Sequence, residues 1–473
     1  MDLKVLRLII QWALIGVLLL CACVAPWFFG AWEMWWFWPF VVVLAAGCIF
    51  AGLAFVLGDV SFSRQGIWAL CMCLPFCLYI LLRWWFLDVV FLDAQRAILL
   101  HVTGIFVAAL VVFWVRGRYM PLLFWSLFVS LLAMSVYGIL NHVFWGSRLV
   151  LWAPRYEQYA GRATGPYFCP DHFAGAMELL VCMGLGLILD RAKGKRKRAV
   201  GLLAIVLGSV GAIMSLSRGS GMTLAVVLGL VVVVGFYQWP ASVRNGWRAM
   251  CVCGGVLILL GAFWFAQDYR ERFVTYGGLH QVSATEDTAL SEQVVSRLLR
   301  TSRGRMYTGA WLAWQTSPWL GVGPGMQRNL WLAFAHSGDG DRETGTWPTL
   351  INDTFHSYEV HSDWLELLQE HGVMGVVLFL LGFAGVVGVY FAAFRRTARN
   401  WRRHELDCLM HPPPGYAMVL AGFLSIGAMA FHSLGDFNLQ MPGTVWMLAL
   451  LVGLGIRGGM AMASGSLAGY DRE

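Results

Sequence analysis

Residues 361–375 read His-Ser-Asp-Trp-Leu-Glu-Leu-Leu-Gln-Glu-His-Gly-Val-Met-Gly and run directly into an apolar stretch that ends near residue 394. Asp363 is placed to cap a short helix, with Glu366 three residues on as the reciprocal partner of a capping box. Leu365, Leu368 and Gly372 follow His361 at helical spacing and share its face. Gly372 ends the amphipathic turn, and the apolar run begins at Val373. A capped polar turn that passes into an uninterrupted apolar run of spanning length is a membrane helix met at its polar end. It holds His361 near a membrane surface, on an element rigid enough to position a catalyst.

The rest of the chain agrees with that reading. Its 473 residues are 59% hydrophobic and only 13% charged, with 24 Trp, which excludes an ordinary soluble protein. The formal charge of +7 is small for the length and sits in basic loops, so it reads as topology and carries no nucleic-acid footprint. Apolar runs of spanning length lie near 7–29, 35–57, 67–87, 97–115, 119–141, 172–190, 199–216, 220–237, 249–266, 373–394, 415–431 and 442–458. The expected fold is therefore all-α: a polytopic membrane protein of about 12 transmembrane helices. The first run is too long, and too free of a small-residue cleavage pattern, to be a removed signal peptide.

Lys and Arg set the orientation. Lys4 and Arg7, Arg116 and Arg118, the Arg191–Arg198 cluster, Arg244 and Arg248, and the Arg395–Arg403 group fall on one side when spans are counted. That side and both termini are expected in the cytoplasm. The other face receives 142–171, the hairpin at Ser215–Gly221, the long segment 267–371 and the turn 432–441. The long segment is too polar for lipid and too long for an idle connector, and is expected to form a helical periplasmic cap. The resulting division is 1–266 for the first transmembrane helices, 267–371 for the large loop with His361, and 372–473 for the remaining helices.

Most of the 11 cysteines lie inside spans; Cys169 is read as facing outward, and no disulfide is expected there. The Cys21/Cys23, Cys71/Cys73 and Cys251/Cys253 pairs lack the flanking ligands of a tetrahedral site. Asp339-Gly-Asp341 has turn composition rather than the setting of a metal–nucleotide site. Neither metal nor cofactor is expected.

The chemistry gathers on the outer face. Ser215-Leu-Ser-Arg-Gly-Ser-Gly221 interrupts an apolar hairpin, and Arg218 at that depth calls for an anion or a carboxylate. The helix N-terminus that follows adds backbone donors suited to a pyrophosphate. The ordinary alternative is an arginine snorkelling from a span end. Residues 301–325 read as an amphipathic helix with Arg303 and Arg305 at its start, followed by a Pro/Gly turn. Either guanidinium can take a second phosphate, or simply face solvent. His361, with His356 and Glu359 nearby, is suited to remove a proton from a sugar hydroxyl. His432, Asp436 and Asn438 occupy a turn between two spans, where polar groups line a cavity or orient a partner.

Five segments carry a family resemblance. Gly165-Pro-Tyr-Phe-Cys-Pro-Asp-His-Phe-Ala-Gly175, Ser215-Leu-Ser-Arg-Gly219, the Arg303…Tyr307…Pro318-Trp-Leu-Gly-Val-Gly323 run, His361-Ser-Asp-Trp-Leu-Glu-Leu-Leu-Gln-Glu-His-Gly372 and His432-Ser-Leu-Gly-Asp-Phe-Asn-Leu-Gln-Met-Pro442 resemble, in order, motifs of the O-antigen ligase and O-antigen polymerase superfamily of bacterial envelope glycosyltransferases. The resemblance runs from about residue 165 to the end. The first five spans match in hydropathy alone. Cys169 and Ser362 stand where the family pattern has Asn, and Glu366 where it has Gln, a change that bears on acceptor binding.

The resemblance implies a multi-pass protein of the bacterial inner membrane with a periplasmic active site. It implies transfer of a glycan from undecaprenyl pyrophosphate to an acceptor hydroxyl on a glycan, lipid A-core or protein. The reaction would be metal-independent and inverting. His361, Arg218 and Arg303 are the expected catalytic set. Arg305, Ser217, His356, Glu366, His432, Asp436 and Asn438 are the expected substrate-binding residues. A lipid-linked glycan flippase is the rival from another class. Its midplane site between repeated halves fits poorly with polar groups gathered on one side.

Overall fold

A computed structural model describes residues 2–87, 89–154, 156, 159, 161–190, 194–238, 302–335, 358–403 and 415–464. The described chain is helical apart from a two-residue ladder, Leu149–Val150 with Ala153–Pro154. The helices are α1 (Leu3–Leu19), α2 (Met34–Val56), α3 (Arg64–Phe86), α4 (Phe91–Ala109), α5 (Met120–Trp145), α6 (Pro170–Leu189), α7 (Gly194–Met214) and α8 (Arg218–Gln238). They continue as α9 (Ser302–Thr316), α10 (Gln327–Ala335), α11 (Asp363–Arg403), α12 (Tyr416–His432) and α13 (Pro442–Ser464). Short π and 3-10 turns extend α1 to Trp27 and α4 to Trp114.

Among the described residues, 10 helices are long and apolar enough to cross a membrane, and the 17-residue α12 is a shorter apolar helix. These correspond to eleven of the twelve runs read from the sequence. The run at 249–266 lies outside the described residues, as does much of the long loop.

The bundle is built around α6, α12 and α13. In α6, 89% of the spanning window is buried, and in α13 83%, against 28% for α2 and 22% for α3. The outer helices turn Val42, Ile49, Leu78 and Trp85 outward, as expected of side chains that face lipid tails rather than water. One end of the bundle is basic: Arg116 forms a bidentate pair with Asp59, and Arg457 donates to the Val112 carbonyl. The other end gathers the start of α6, the hairpin between α7 and α8, α9, the start of α11 and the turn 433–441.

Two corrections concern the stretch at 361–375. The cap of α11 is Ser362, whose Oγ accepts from Leu365 N at 3.4 Å; Asp363 is already helical. Glu366 accepts instead from Val360 N at 2.9 Å. The buried face of the first turns is mixed, with Leu367 lying beside acids and an imidazole. Glu366, Gln369, Glu370 and His371 are buried, while Leu365 and Leu368 are half-buried. Gly372 does end that turn: φ 64° and ψ −173° break α11 there.

The break is held by the Pro318–Gly323 turn, packed backbone to backbone against it. Val373 N donates to Pro318 O and Met374 N to Trp319 O, at 3.0 and 3.1 Å. In return, Val322 N and Gly323 N donate to Gln369 O and Glu370 O, at 3.0 and 2.9 Å. A Cβ on Gly372 would stand 2.5 Å from the Trp319 oxygen.

Candidate active site

The turn 433–441 is the platform on which the site is assembled. Asp363 Oδ2 accepts from Ser433 Oγ at 2.5 Å and from Leu439 N at 3.0 Å, while Asp363 N donates to Asp436 O. Arg303 Nη1 donates to Gly435 O at 2.8 Å, tying α9 to the same turn. On the α6 side, His172 Nδ1 lies 3.2 Å from Asn438 Oδ1. Asn438 packs so closely on Gly175 that a Cβ there would come within 2.6 Å of its amide oxygen. Three sequence-distant helices thus fix one turn.

His361 stands over this platform in a left-handed conformation, φ 62°, which costs a non-glycine residue about 1–2 kcal/mol. Its carbonyl accepts from Tyr307 Oη at 3.0 Å, one of the contacts that hold it there. The ring packs edge-on against Phe437, with centroids 4.6 Å apart at 89°, and His172 packs on the same phenyl at 4.4 Å and 80°. Nδ1 is buried, 3.8 Å from Asp436 Oδ1, while 24% of the side chain stays exposed. That leaves Nε2 to meet whatever arrives from the open side. Burial alone would raise the Asp436 carboxyl, but contacts with His361 and His432, then charge from His172 and Arg303, hold it well below the usual carboxylate range.

The cations approach from two directions. Ser217 caps α8, accepting from Ser220 N at 3.4 Å, so α8 begins at Arg218. From α9, half-exposed Arg303 also places Nη2 3.9 Å from Asp171 Oδ2. Arg305 lies two residues on; among the described residues its Nε and Nη1 are buried without a hydrogen-bond partner.

Residues 203–380 match the O-antigen ligase family model. Over that segment the chain is similar to the O-antigen ligase family. No curated protein matches the chain. The O-antigen ligase segment contains Ser217, Arg218, Arg303, Arg305, His361 and Glu366, whereas His432, Asp436 and Asn438 follow it. That match, with the 10 apolar helices, supports a multi-pass membrane glycosyltransferase of the ligase or polymerase type.

The structure brings together most of what the sequence singles out, although several of those side chains are deeply buried. Ser217, Glu366, His432, Asp436 and Asn438 are each at most 2% exposed. His356 lies outside the described residues. Cys169 does not face outward: it is buried, and its Sγ donates to Asp171 Oδ2 at 3.8 Å. Sequence reading missed two pairs. Arg162 donates to Asp171 at 2.6 Å and to Ser215 O at 2.7 Å, bolting the hairpin to α6. Glu178, wholly buried in α6, lies 2.8 Å from His432 Nδ1. An acidic residue inside a spanning run is the signal that would have found Glu178.

A second polar group supports the loop that delivers His361. Glu359 accepts from Arg328 at 2.6 Å, and Arg328 lies over the rings of Trp32 and Tyr358, 4.8 and 5.3 Å from their centroids. Gln327 N donates to Glu370 at 3.3 Å. Burial opposes ionisation of Glu359, but Arg328 outweighs it and holds the carboxyl below its ordinary 4.5. Among the described residues no group of three or more His, Cys, Asp or Glu side chains is arranged to hold a metal. An apolar cleft of about 290 Å³ runs between α3, α4, α11, α12 and α13, with Asp363, Glu370 and Gln440 also lining it.

Proposed function

We propose that this membrane protein transfers a glycan from undecaprenyl pyrophosphate to an acceptor hydroxyl at the periplasmic face of the bacterial inner membrane, with both termini cytoplasmic. The observation that carries the reading is the partly exposed His361 with buried Asp436 3.8 Å from its Nδ1, on a turn that Arg303 of α9 also grips. A carboxylate behind an imidazole fixes its orientation and leaves the other nitrogen basic. His361 Nε2 takes the proton of the acceptor hydroxyl as its oxygen attacks the anomeric carbon. The bond to the pyrophosphate oxygen breaks on the opposite side, and undecaprenyl pyrophosphate leaves with the electron pair. A single displacement of this kind inverts the anomeric centre.

Arg218, Arg303 and Arg305 stabilise the charge that develops on the leaving group. Arg303 is anchored through Nη1 to Gly435 O, which fixes its place beside the turn while the side chain stays 37% exposed. Arg305 has buried N–H groups to offer, and an arriving phosphate satisfies donors that are otherwise costly to bury. The apolar cleft, which reaches Asp363 beside the platform, supports a lipid-linked substrate.

The test follows release of undecaprenyl pyrophosphate from an undecaprenyl-pyrophosphate oligosaccharide by purified protein in detergent. His361→Ala is expected to insert and fold normally and to lose about 10²-fold or more of the rate, the range of a general base. Wild-type turnover in that variant removes His361 from the mechanism. The product names the acceptor: a longer lipid-linked chain for a polymerase, lipid A-core for a ligase, polypeptide for a protein glycosyltransferase. Movement of the lipid-linked glycan across a vesicle bilayer without release would mean a transporter.

A further inference from the structure

Glu178 is a carboxylate in the most buried span, eight residues in from the start of α6 and so about 12 Å along its axis. It is 0% exposed, and an unpartnered charge there would be expensive. Its neighbour is the end of α12: His432, 1% exposed, presents Nδ1 to Glu178 Oε1 at 2.8 Å and Nε2 to Asp436 Oδ2 at 3.7 Å. Both ring nitrogens thus lie within ion-pair distance of carboxylate oxygens, although among the described residues neither makes a hydrogen bond, and a neutral imidazole can turn a proton toward one of them only. Asp436 in turn faces His361 Nδ1 across 3.8 Å.

We propose that Glu178 is a positioning residue for the transfer reaction: it keeps His432 doubly protonated, and His432 in that form holds Asp436 ionised and aimed at His361. The four side chains form one line, from the interior of α6 through the end of α12 and the 433–441 turn to the start of α11. The line touches the arginine hairpin as well, since a Cβ on Gly219 would stand 3.1 Å from His432 Nε2.

The groups that face this line are few. Glu178 is the acid that meets His432 from α6 and Asp436 the one from its own turn; Gly219 packs on the His432 ring at the start of α8, and Ser220 of α8 and Cys182 of α6 face Glu178. Asp436 also meets charge from His172 and Arg303 and accepts from Phe437 N. In Glu178→Gln, His432 can shed its proton and become neutral, so no unpaired charge is left buried and the variant is expected to fold. Asp436 then loses the His432 charge, keeps Arg303 and His172 as neighbours, and draws more strongly on the proton of His361.

The inference rests on His361 acting as the base, so one arm of the test does not depend on activity. Full-length protein with ring-¹⁵N histidine is placed in lipid nanodiscs, and the His432 signals are identified by their loss in His432→Gln. The expected wild-type result is two protonated ring nitrogens well above neutral pH, and a neutral ring at that pH in Glu178→Gln. A neutral His432 in the wild type overturns the proposal. In the transfer assay, Glu178→Gln is expected to lower kcat about tenfold to a hundredfold, the range for removing a charged hydrogen bond. KM for the lipid-linked donor should change little, and the acid limb of kcat/KM should move to higher pH. Glu178→Asp, which keeps the charge, should restore part of the rate. A loss of amplitude with an unmoved acid limb would make Glu178 a packing residue only, and the proposal would fall. Absence of transfer by the wild type, with His432 doubly protonated, would instead sink the reading of the site.

Discussion

Gly372→Ala tests whether the break in α11 is what places His361. At φ 64° and ψ −173° the residue occupies a region open essentially to glycine, and an alanine there costs about 1–3 kcal/mol. The added Cβ would lie 2.5 Å from both the Trp319 oxygen and the Gly321 nitrogen, so the two backbones must part. Parting them sacrifices the bonds from Val373 N to Pro318 O and from Met374 N to Trp319 O, each worth about 0.5–1.5 kcal/mol. Together these give about 2–6 kcal/mol. The first turns of α11 carry Asp363 and follow His361 directly, so a shift of about 1 Å should also lower transfer about 10²-fold. The control is Gly388→Ala on the same helix, where nothing lies within 4 Å of the new methyl. Thermal unfolding in detergent, read by the exposure of buried Cys21 and Cys182, gives the stability, and glycan transfer gives the activity. A Gly372→Ala protein with the melting midpoint and rate of Gly388→Ala would refute this account of the kink.

Two further outcomes follow from the charges. Arg218→Lys should keep the fold and lose about tenfold or more of the transfer rate, because a point charge cannot reproduce a guanidinium fork; full activity would leave Arg218 a snorkelling residue. The Glu359 carboxyl is held below its ordinary 4.5, so its pairing with Arg328 stabilises the fold above that pH and is lost as the pH falls through the folded value. Thermal stability of the wild type should therefore fall more steeply as the pH drops below the ordinary carboxyl value of 4.5 than that of Arg328→Met/Glu359→Met, and equal slopes would remove the pair from the acid response. Either single substitution should be worse than the double one, since it strands a buried charge.

The spans were legible because hydropathy over about 20 residues is a one-dimensional signal. The Ser217–Arg218 hairpin and the Pro318–Gly323 turn were legible because polar residues and glycines interrupt apolar or helical patterns there. The cap of α11 was not. Ser362 and Asp363 are both good cap formers, and the choice was made by Ser433 and Leu439, some seventy residues away, which claim the Asp363 carboxylate. The burial of Glu366 and Glu370 in α11 was not legible for the same reason. Leucines at helical spacing normally mark the buried side, but Val360 N and Gln327 N arrive from elsewhere to satisfy Glu366 and Glu370. Glu178 was overlooked because its partner, His432, lies two hundred and fifty residues further along the chain.

The placement of these carboxylates bears on how the site works. Water cannot screen a charge at this end of the bundle as it does at an open surface, so each buried acid needs its own donor. Asp171 has Arg162, Asp363 has Ser433 and the Leu439 amide, and Asp436 has the Phe437 amide with the histidines on either side, while Glu178 has the His432 ring at ion-pair distance, 2.8 Å. Most of these anchors lie outside residues 203–380, whereas His361, Arg218, Arg303 and Arg305 lie within them. The family segment thus supplies the groups proposed to meet the substrate, and the surrounding helices supply fixed charges that do not reorganise when it arrives. A site built this way stabilises developing charge with dipoles and ions already in place, which is the condition under which electrostatics lowers a barrier most.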